Sequence, residues 1–326
     1  MNAPPSPQAP NPTTGVVCAL GAFLIWGLGP LYWKALQAVG AFEITLHRVL
    51  WSFCVLMPLT LVCRRREEFS RTVRTPRLML ILSGTALLVG ANWLLYVWAI
   101  NNARVIEASL GYYINPLVNI LLGFLFLRER LRPAQTVAVV LATIAVLNLT
   151  IHHGIVPWVP LGLAFSFGIY GLIRKVAAVG ALVGLTIETL LLTVPAGIWL
   201  LHLHRAGGGA FLHAGIHIDL LLMGTGLLTA TPLLLFNLGA RRITLATLGF
   251  IQYTAPTGML ILGVTRFGEP FTRIQAITFG LIWVALTLYS WDTLRARRQR
   301  LAAGRKMFDA AATSQPPKGY PGRNSK

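Results

Sequence analysis

The sequence is poor in charge. Only 12% of its 326 residues are Asp, Glu, Lys or Arg, about half the fraction of a soluble domain of this size. Acidic residues are the scarcer kind: ten Asp and Glu stand against 28 Lys and Arg, for a net charge of +18. Cysteine is nearly absent. Cys18, Cys54 and Cys63 form no CxxC pair and fall in or at the ends of apolar blocks, so they read as small packing residues rather than a disulfide framework or metal ligands. No GxxxxGK[ST] loop is present to cradle phosphates, no HExxH helix to hold zinc, and no nucleophile stands beside an evident base. These absences weigh against a soluble protein, an ATP-driven pump and an enzyme. No cofactor and no metal site is expected. Residues 1–14 carry no Lys or Arg, so the basic region of a secretory signal is missing. The first apolar block is therefore expected to remain as a spanning helix.

What the chain has in abundance is apolar length. Hydrophobic residues make up 55%, and they fall into ten blocks: Gly15–Leu36, Glu43–Cys63, Leu78–Ile100, Val105–Leu127, Pro133–Thr150, Pro157–Ile173, Leu182–His204, Ile218–Ala240, Ile243–Phe267 and Thr272–Leu294. Each is close to the roughly 20 helical residues that cross a hydrocarbon core about 30 Å thick. The basic residues sit between the blocks and at the C-terminus rather than on one face with interleaved aromatics, which argues for loop charge bias and against nucleic acid.

A short pattern occurs twice. Ala108-Ser109-Leu110-Gly111-Tyr112 is followed by Pro116, Gly123 and Glu129. Ala246-Thr247-Leu248-Gly249-Phe250 is followed by Pro256, Gly263 and Glu269. From the proline onward the spacing is identical, at an offset of 140 residues, with two residues inserted before it. Five blocks per repeat is an odd number, so the second half enters the membrane the opposite way from the first. The expected fold is therefore all-α and integral to the membrane: ten transmembrane helices as two inverted five-helix repeats. The expected divisions are a disordered N-terminal tail over 1–14, repeats over 15–150 and 151–294, and a basic disordered tail over 295–326. Twenty-two Lys and Arg fall on the side of the termini and five on the other, which predicts that both termini are cytoplasmic.

Several strings in order carry a family resemblance: WGLGPLYWKAL (Trp26–Leu36), EITLHRVLWS (Glu43–Ser52), NWLLYVWAINN (Asn92–Asn102), EASLGYYINPLVNILLGFLFLRERL (Glu107–Leu131) and LGFIQYTAPT (Leu248–Thr257). From Gly15 to Leu294 the chain resembles RarD-type permeases, of the EamA group of the drug/metabolite transporter superfamily. The resemblance implies a ten-helix inner-membrane carrier with two EamA repeats. It brings no catalytic residues and no substrate site.

The candidate site residues come from the sequence. Arg48 lies inside the second block and Glu188 inside the seventh, at equivalent places in the two repeats. A charge in a spanning helix is costly and usually faces a cavity or a partner, so both are candidates for coupling or for holding a substrate charge. A structural ion pair, or snorkelling of Arg48, is the plainer alternative. Pro116 and Pro256 are expected to break their helices at matching places, which points to a midplane site. Around them Asn92, Tyr96, Tyr112, Asn115, Gln252 and Tyr253 are candidate substrate contacts; helix-to-helix adhesion is the alternative. Glu107 suits a helix start with Arg104 as partner, and Glu129 and Glu269 read as rim residues closing their helices. The seven histidines all map to external ends or loops. The expected partners are a small-molecule solute and the lipid bilayer, with no nucleic acid and a homodimer left open. The function expected is a secondary transporter exporting a small amphipathic metabolite or drug. A membrane-embedded sensor or scaffold is the alternative.

Overall fold

A computed structural model describes residues 12–313, apart from Glu129, Arg241 and Thr244. Nearly all of the expected N-terminal tail, residues 314–326 of the basic tail and the rim residue Glu129 lie outside the described residues. The described chain is helical, with no strand: α1 (Pro12–Ala35), α2 (Ala41–Val62), α3 (Arg66–Val73), α4 (Pro76–Asn101), α5 (Val105–Leu127), α6 (Pro133–His153), α7 (Trp158–Val176), α8 (Ala181–Arg205), α9 (Ile216–Ala240), α10 (Leu245–Ile251), α11 (Thr254–Ile261), a π-helical turn (Leu262–Arg266) and α12 (Arg273–Thr313). Nine of these helices are long and apolar enough to cross a membrane. Large apolar side chains stand exposed along them, among them Leu80, Leu87, Ile198 and Trp291. Such a surface needs lipid against it.

Three features depart from expectation. The ninth block is not one helix but three pieces, α10, α11 and the π turn. The short α3 lies between the second and third blocks, where only a basic loop is expected. Beyond Leu294, where a disordered tail is expected, α12 continues to Thr313. That stretch is rich in Arg and Ala, and no Pro stands in it to stop the helix.

The two prolines also differ. Pro116 sits inside an unbroken α5, so the break expected there is absent; the proline only removes the N–H that the Tyr112 carbonyl would accept. In the second half the chain leaves helix at Gln252 and Tyr253, and Pro256 is the third residue of α11. A first-turn position needs no intrahelical N–H. The Gln252 carbonyl accepts instead from Ala255, at 3.3 Å.

The helices pair across the halves. α5 packs on α7 and α1 on α11; α4 on α7 and α1 on α9; α2 on α9 and α4 on α8; α2 also meets α8, α6 meets α12 and α5 meets α11. Exchanging α1, α2, α4, α5 and α6 for α7, α8, α9, α10–α11 and α12 maps each of these pairings onto itself or another of the set. Lipid tails are as apolar as the helices, so association depends on close packing and interhelical hydrogen bonds. Small residues mark the crossings. A Cβ at Gly111 of α5 would lie 2.9 Å from the Pro160 carbonyl oxygen of α7, and one at Gly27 of α1 would lie 3.0 Å from that of Ala255 in α11. Hydroxyls and amides add the links. Thr60 bonds Thr186 between α2 and α8 (2.8 Å), Ser109 donates to the Pro256 carbonyl between α5 and α11 (2.7 Å), and Asn148 donates to Thr278 between α6 and α12 (3.1 Å).

Candidate functional site: a buried arginine in an aromatic box

Arg48 lies on α2, two turns from the helix start, and is 9% exposed. Its Nε donates to Thr229 Oγ1 of α9 at 3.1 Å. Its guanidinium carbon stands 4.1 Å from the ring centre of Trp93 on α4 and 5.0 Å from that of Trp33 on α1. The aromatic wall continues from Trp33 to Tyr96, edge to face at 6.5 Å, and from Tyr96 to Tyr112 of α5 at 5.8 Å. Five helices thus converge on one cation. Among the described residues Arg48 forms no ion pair, and its Nη1 is buried without a hydrogen-bond partner. Desolvating a guanidinium costs several kcal/mol, and each desolvated cation–π contact returns about 2 kcal/mol. The ring contacts and the Thr229 bond offset much of that cost, while Nη1 stays without a partner.

One end of this box is roofed. His47, beside Arg48, is buried and packs its ring 4.9 Å from that of Phe211, which also meets Trp51 at 6.1 Å. The loop bearing Phe211 is tied down by two carboxylates. Glu43 accepts the Ala210 N–H and Asp219 accepts the Leu212 N–H, both at 2.7 Å. His47 is therefore an interior residue, which corrects its reading as part of an external histidine set; helix position alone does not show that a loop folds over it.

Glu188 forms a second centre. It lies on α8, two turns from the helix start, and is fully buried. Thr85 of α4 donates to its Oε1 at 2.6 Å, Tyr170 of α7 donates to Oε2 at 3.1 Å, and Arg174 Nε of α7 stands 3.7 Å from Oε1. Arg48 and Glu188 do not pair with each other. The cation for Glu188 is Arg174, which also donates to the Val179 and Gly180 carbonyls at 3.4 and 3.1 Å. In the sequence Arg174 counts among the loop charges; in the fold it turns back against α8.

The six candidate substrate contacts divide. Tyr96 and Tyr112 belong to the box around Arg48. Asn92 is spent on α7, where its Nδ2 donates to Leu163 O at 3.1 Å and Ser166 Oγ at 2.8 Å. Asn115 accepts from Asn119 on its own helix at 3.0 Å. Gln252 and Tyr253 form the break before α11, and Tyr253 stacks on Tyr113 at 6.2 Å, beside Phe279 and Trp283 of α12. Tyr112 and Tyr113 are neighbours in sequence but serve separate clusters. Trp33, Trp93, Thr229, Thr85, Tyr170 and Arg174 escape the sequence reading, since none differs locally from ordinary packing or loop residues. Glu107 takes its expected partner, Arg104, at 3.4 Å.

Residues 13–151 match the EamA-like transporter family. Protein RarD of Salmonella typhi is 45% identical over 88% of this chain and 97% of its own length. An uncharacterized transporter of Vibrio cholerae is 46% identical over 89% and 96%. The chain belongs to the EamA-like transporter family, as a RarD-type permease. It is a multi-pass membrane transporter. A solved crystal structure 22% identical to it shares the fold, with a TM-score of 0.56 over 88% of this chain and 99% of that one. Within the RarD-type permease, Arg48 and Glu188 are buried charges two turns inside spanning helices that the family assignment leaves without a role; the buried carboxylates Asp219 and Glu269 hold backbone N–H groups.

Proposed function

We propose that this RarD-type permease is a secondary carrier of the inner membrane that exports a small amphipathic metabolite or drug by alternating access. The observation that carries this reading is the Arg48 box, which takes side chains from α1, α2, α4, α5 and α9 and so spans both halves of the chain. The helix pairings that interchange under exchange of the halves support two inverted five-helix repeats, with α10, α11 and the π turn together as the ninth span. Two related halves can rock about a site between them. Tyr96 and Tyr112 face the solute beside Arg48. The Gln252–Tyr253 break and Pro256 serve as the hinge of the ninth span, while Asn92 and Asn115 hold their helices. The absence of a phosphate-binding loop leaves an ion gradient, exchange or the solute gradient to drive movement.

Purified protein in vesicles is expected to give saturable solute flux. Tyr112→Ala should lower it at least about tenfold, the scale of losing an aromatic anchor in a buried site, with Tyr253→Ala costing less. Well-folded protein that moves no member of a broad solute panel would leave the sensor or scaffold reading in place. For orientation, the split of basic residues puts both termini in the cytoplasm. A reporter active only in the periplasm, fused after Ser290, should be silent, and a strong signal there would reverse the topology.

A further inference from the structure

We propose that Arg48 binds a carboxylate, and that the solute is a compact organic monoanion with a flat apolar body. The inference rests on the carrier reading and names the substrate class of the same site. The box supplies the charge and the ring surface such a solute needs. The guanidinium is buried, forms no ion pair among the described residues, and keeps Nη1 unbonded. Only Nε is used, on Thr229. A guanidinium presents its N–H groups as a planar fork matched to a carboxylate. Trp93, Trp33, Tyr96 and Tyr112 supply ring surface for a flat apolar body beside it.

The neighbouring carboxylates and Lys34 are committed elsewhere, and His47 leaves both ring nitrogens buried without a hydrogen-bond partner. Glu43 and Asp219 hold backbone N–H groups of the roofing loop. Lys34 donates to the Ile100 carbonyl at 3.4 Å. His47 packs on Phe211. One uncommitted cation at this depth matches a single negative charge and disfavours a polyanion. The ion pair separates the two arginines: Arg174 also has an unbonded Nη1, but it already holds the Glu188 carboxylate and two backbone carbonyls, so an incoming anion has reason to go to Arg48.

The test uses the full-length protein in detergent at neutral pH and matched ionic strength. Arylcarboxylates (benzoate, phenylacetate) are compared with the corresponding neutral amides and with chloride alone. Thermal stabilisation and tryptophan fluorescence are read together, since Trp33 and Trp93 flank the guanidinium. The carboxylates should bind and the amides should not. Arg48→Lys and Arg48→Gln should weaken carboxylate binding about thirtyfold or more, as expected when one partner of a buried charged pair is lost. Equal binding of acids and amides, no binding by any acid, or equal protection by chloride overturns the proposal. The acid-against-amide comparison is made on the unaltered protein, so it decides the matter even if the Arg48 variants misfold. Carboxylate binding without flux in vesicles supports the anion site and removes the carrier reading. Flux of a neutral or cationic solute that survives Arg48→Gln does the reverse.

Discussion

Glu188→Leu is expected to destabilise the protein and abolish transport, and adding Arg174→Met is expected to restore the stability alone. The carboxylate is fully buried and takes Thr85, Tyr170 and Arg174 from two other helices. Removing it strands Arg174, which is 11% exposed. Breaking a buried pair from one side costs about 3–5 kcal/mol. The lower end applies here, because Arg174 keeps the Val179 and Gly180 carbonyls and the separation of 3.7 Å is long for an ion pair. Replacing both partners by apolar groups removes that penalty. Stability is read from detergent unfolding and function from vesicle flux. Glu188→Gln keeps the shape and a carbonyl acceptor but loses the charge, so protein in the membrane should hold while transport is lost or uncoupled. Normal flux in Glu188→Leu would show that this centre is at most structural.

Glu269→Ala is expected to cost about 3 kcal/mol of stability, from two lost charge-assisted bonds of about 1.5–3 kcal/mol each, partly regained by water. Both oxygens of Glu269 accept backbone N–H groups at the start of α5: Oε1 from Val105 at 2.8 Å and Oε2 from Ile106 at 2.9 Å. These first-turn donors have no partner within the helix, and a carboxylate there meets the positive end of the helix dipole. The residue is 8% exposed, so water replaces it poorly. Glu269→Gln should recover about half the loss, since it has one acceptor oxygen and no charge. Unfolding in detergent decides this. An unchanged midpoint in Glu269→Ala would mean that the link between the loop after the π turn and α5 carries no stability. The reading of Glu269 as a residue closing its own helix misses its partner, because the cap it makes belongs to a helix 164 residues away.

Much of the membrane architecture is legible along the chain, because a spanning helix announces itself by apolar length. Nine of the ten blocks correspond to helices that qualify as spans. The exception, Ile243–Phe267, also reads as an apolar block. Hydropathy records residence in the bilayer and not continuity of the backbone, so the break at Gln252 and Tyr253 is invisible to it. Proline was a poor guide for the same kind of reason. Its missing N–H interrupts a helix only where neighbours do not compensate, and α5 tolerates Pro116 while α11 uses Pro256 in its first turn.

The sequence by itself determined that this is a polytopic helical membrane protein with an internal repeat, and it singled out Arg48 and Glu188, since a charge among apolar residues is conspicuous in one dimension. Tertiary structure alone decided what surrounds those charges. Arg174 reads as a loop cation until α7 and α8 bring it against Glu188. Trp33 and Trp93 read as ordinary apolar residues until they close over Arg48. Tyr112 and Tyr113 cannot be told apart by composition, yet one turns toward the arginine and the other toward α12. Chemistry in a bilayer is set by which helix faces meet, and that depends on crossings between separate helices, from neighbours in the chain such as α7 and α8 to Arg48 and Thr229, 181 residues apart, which no local pattern encodes.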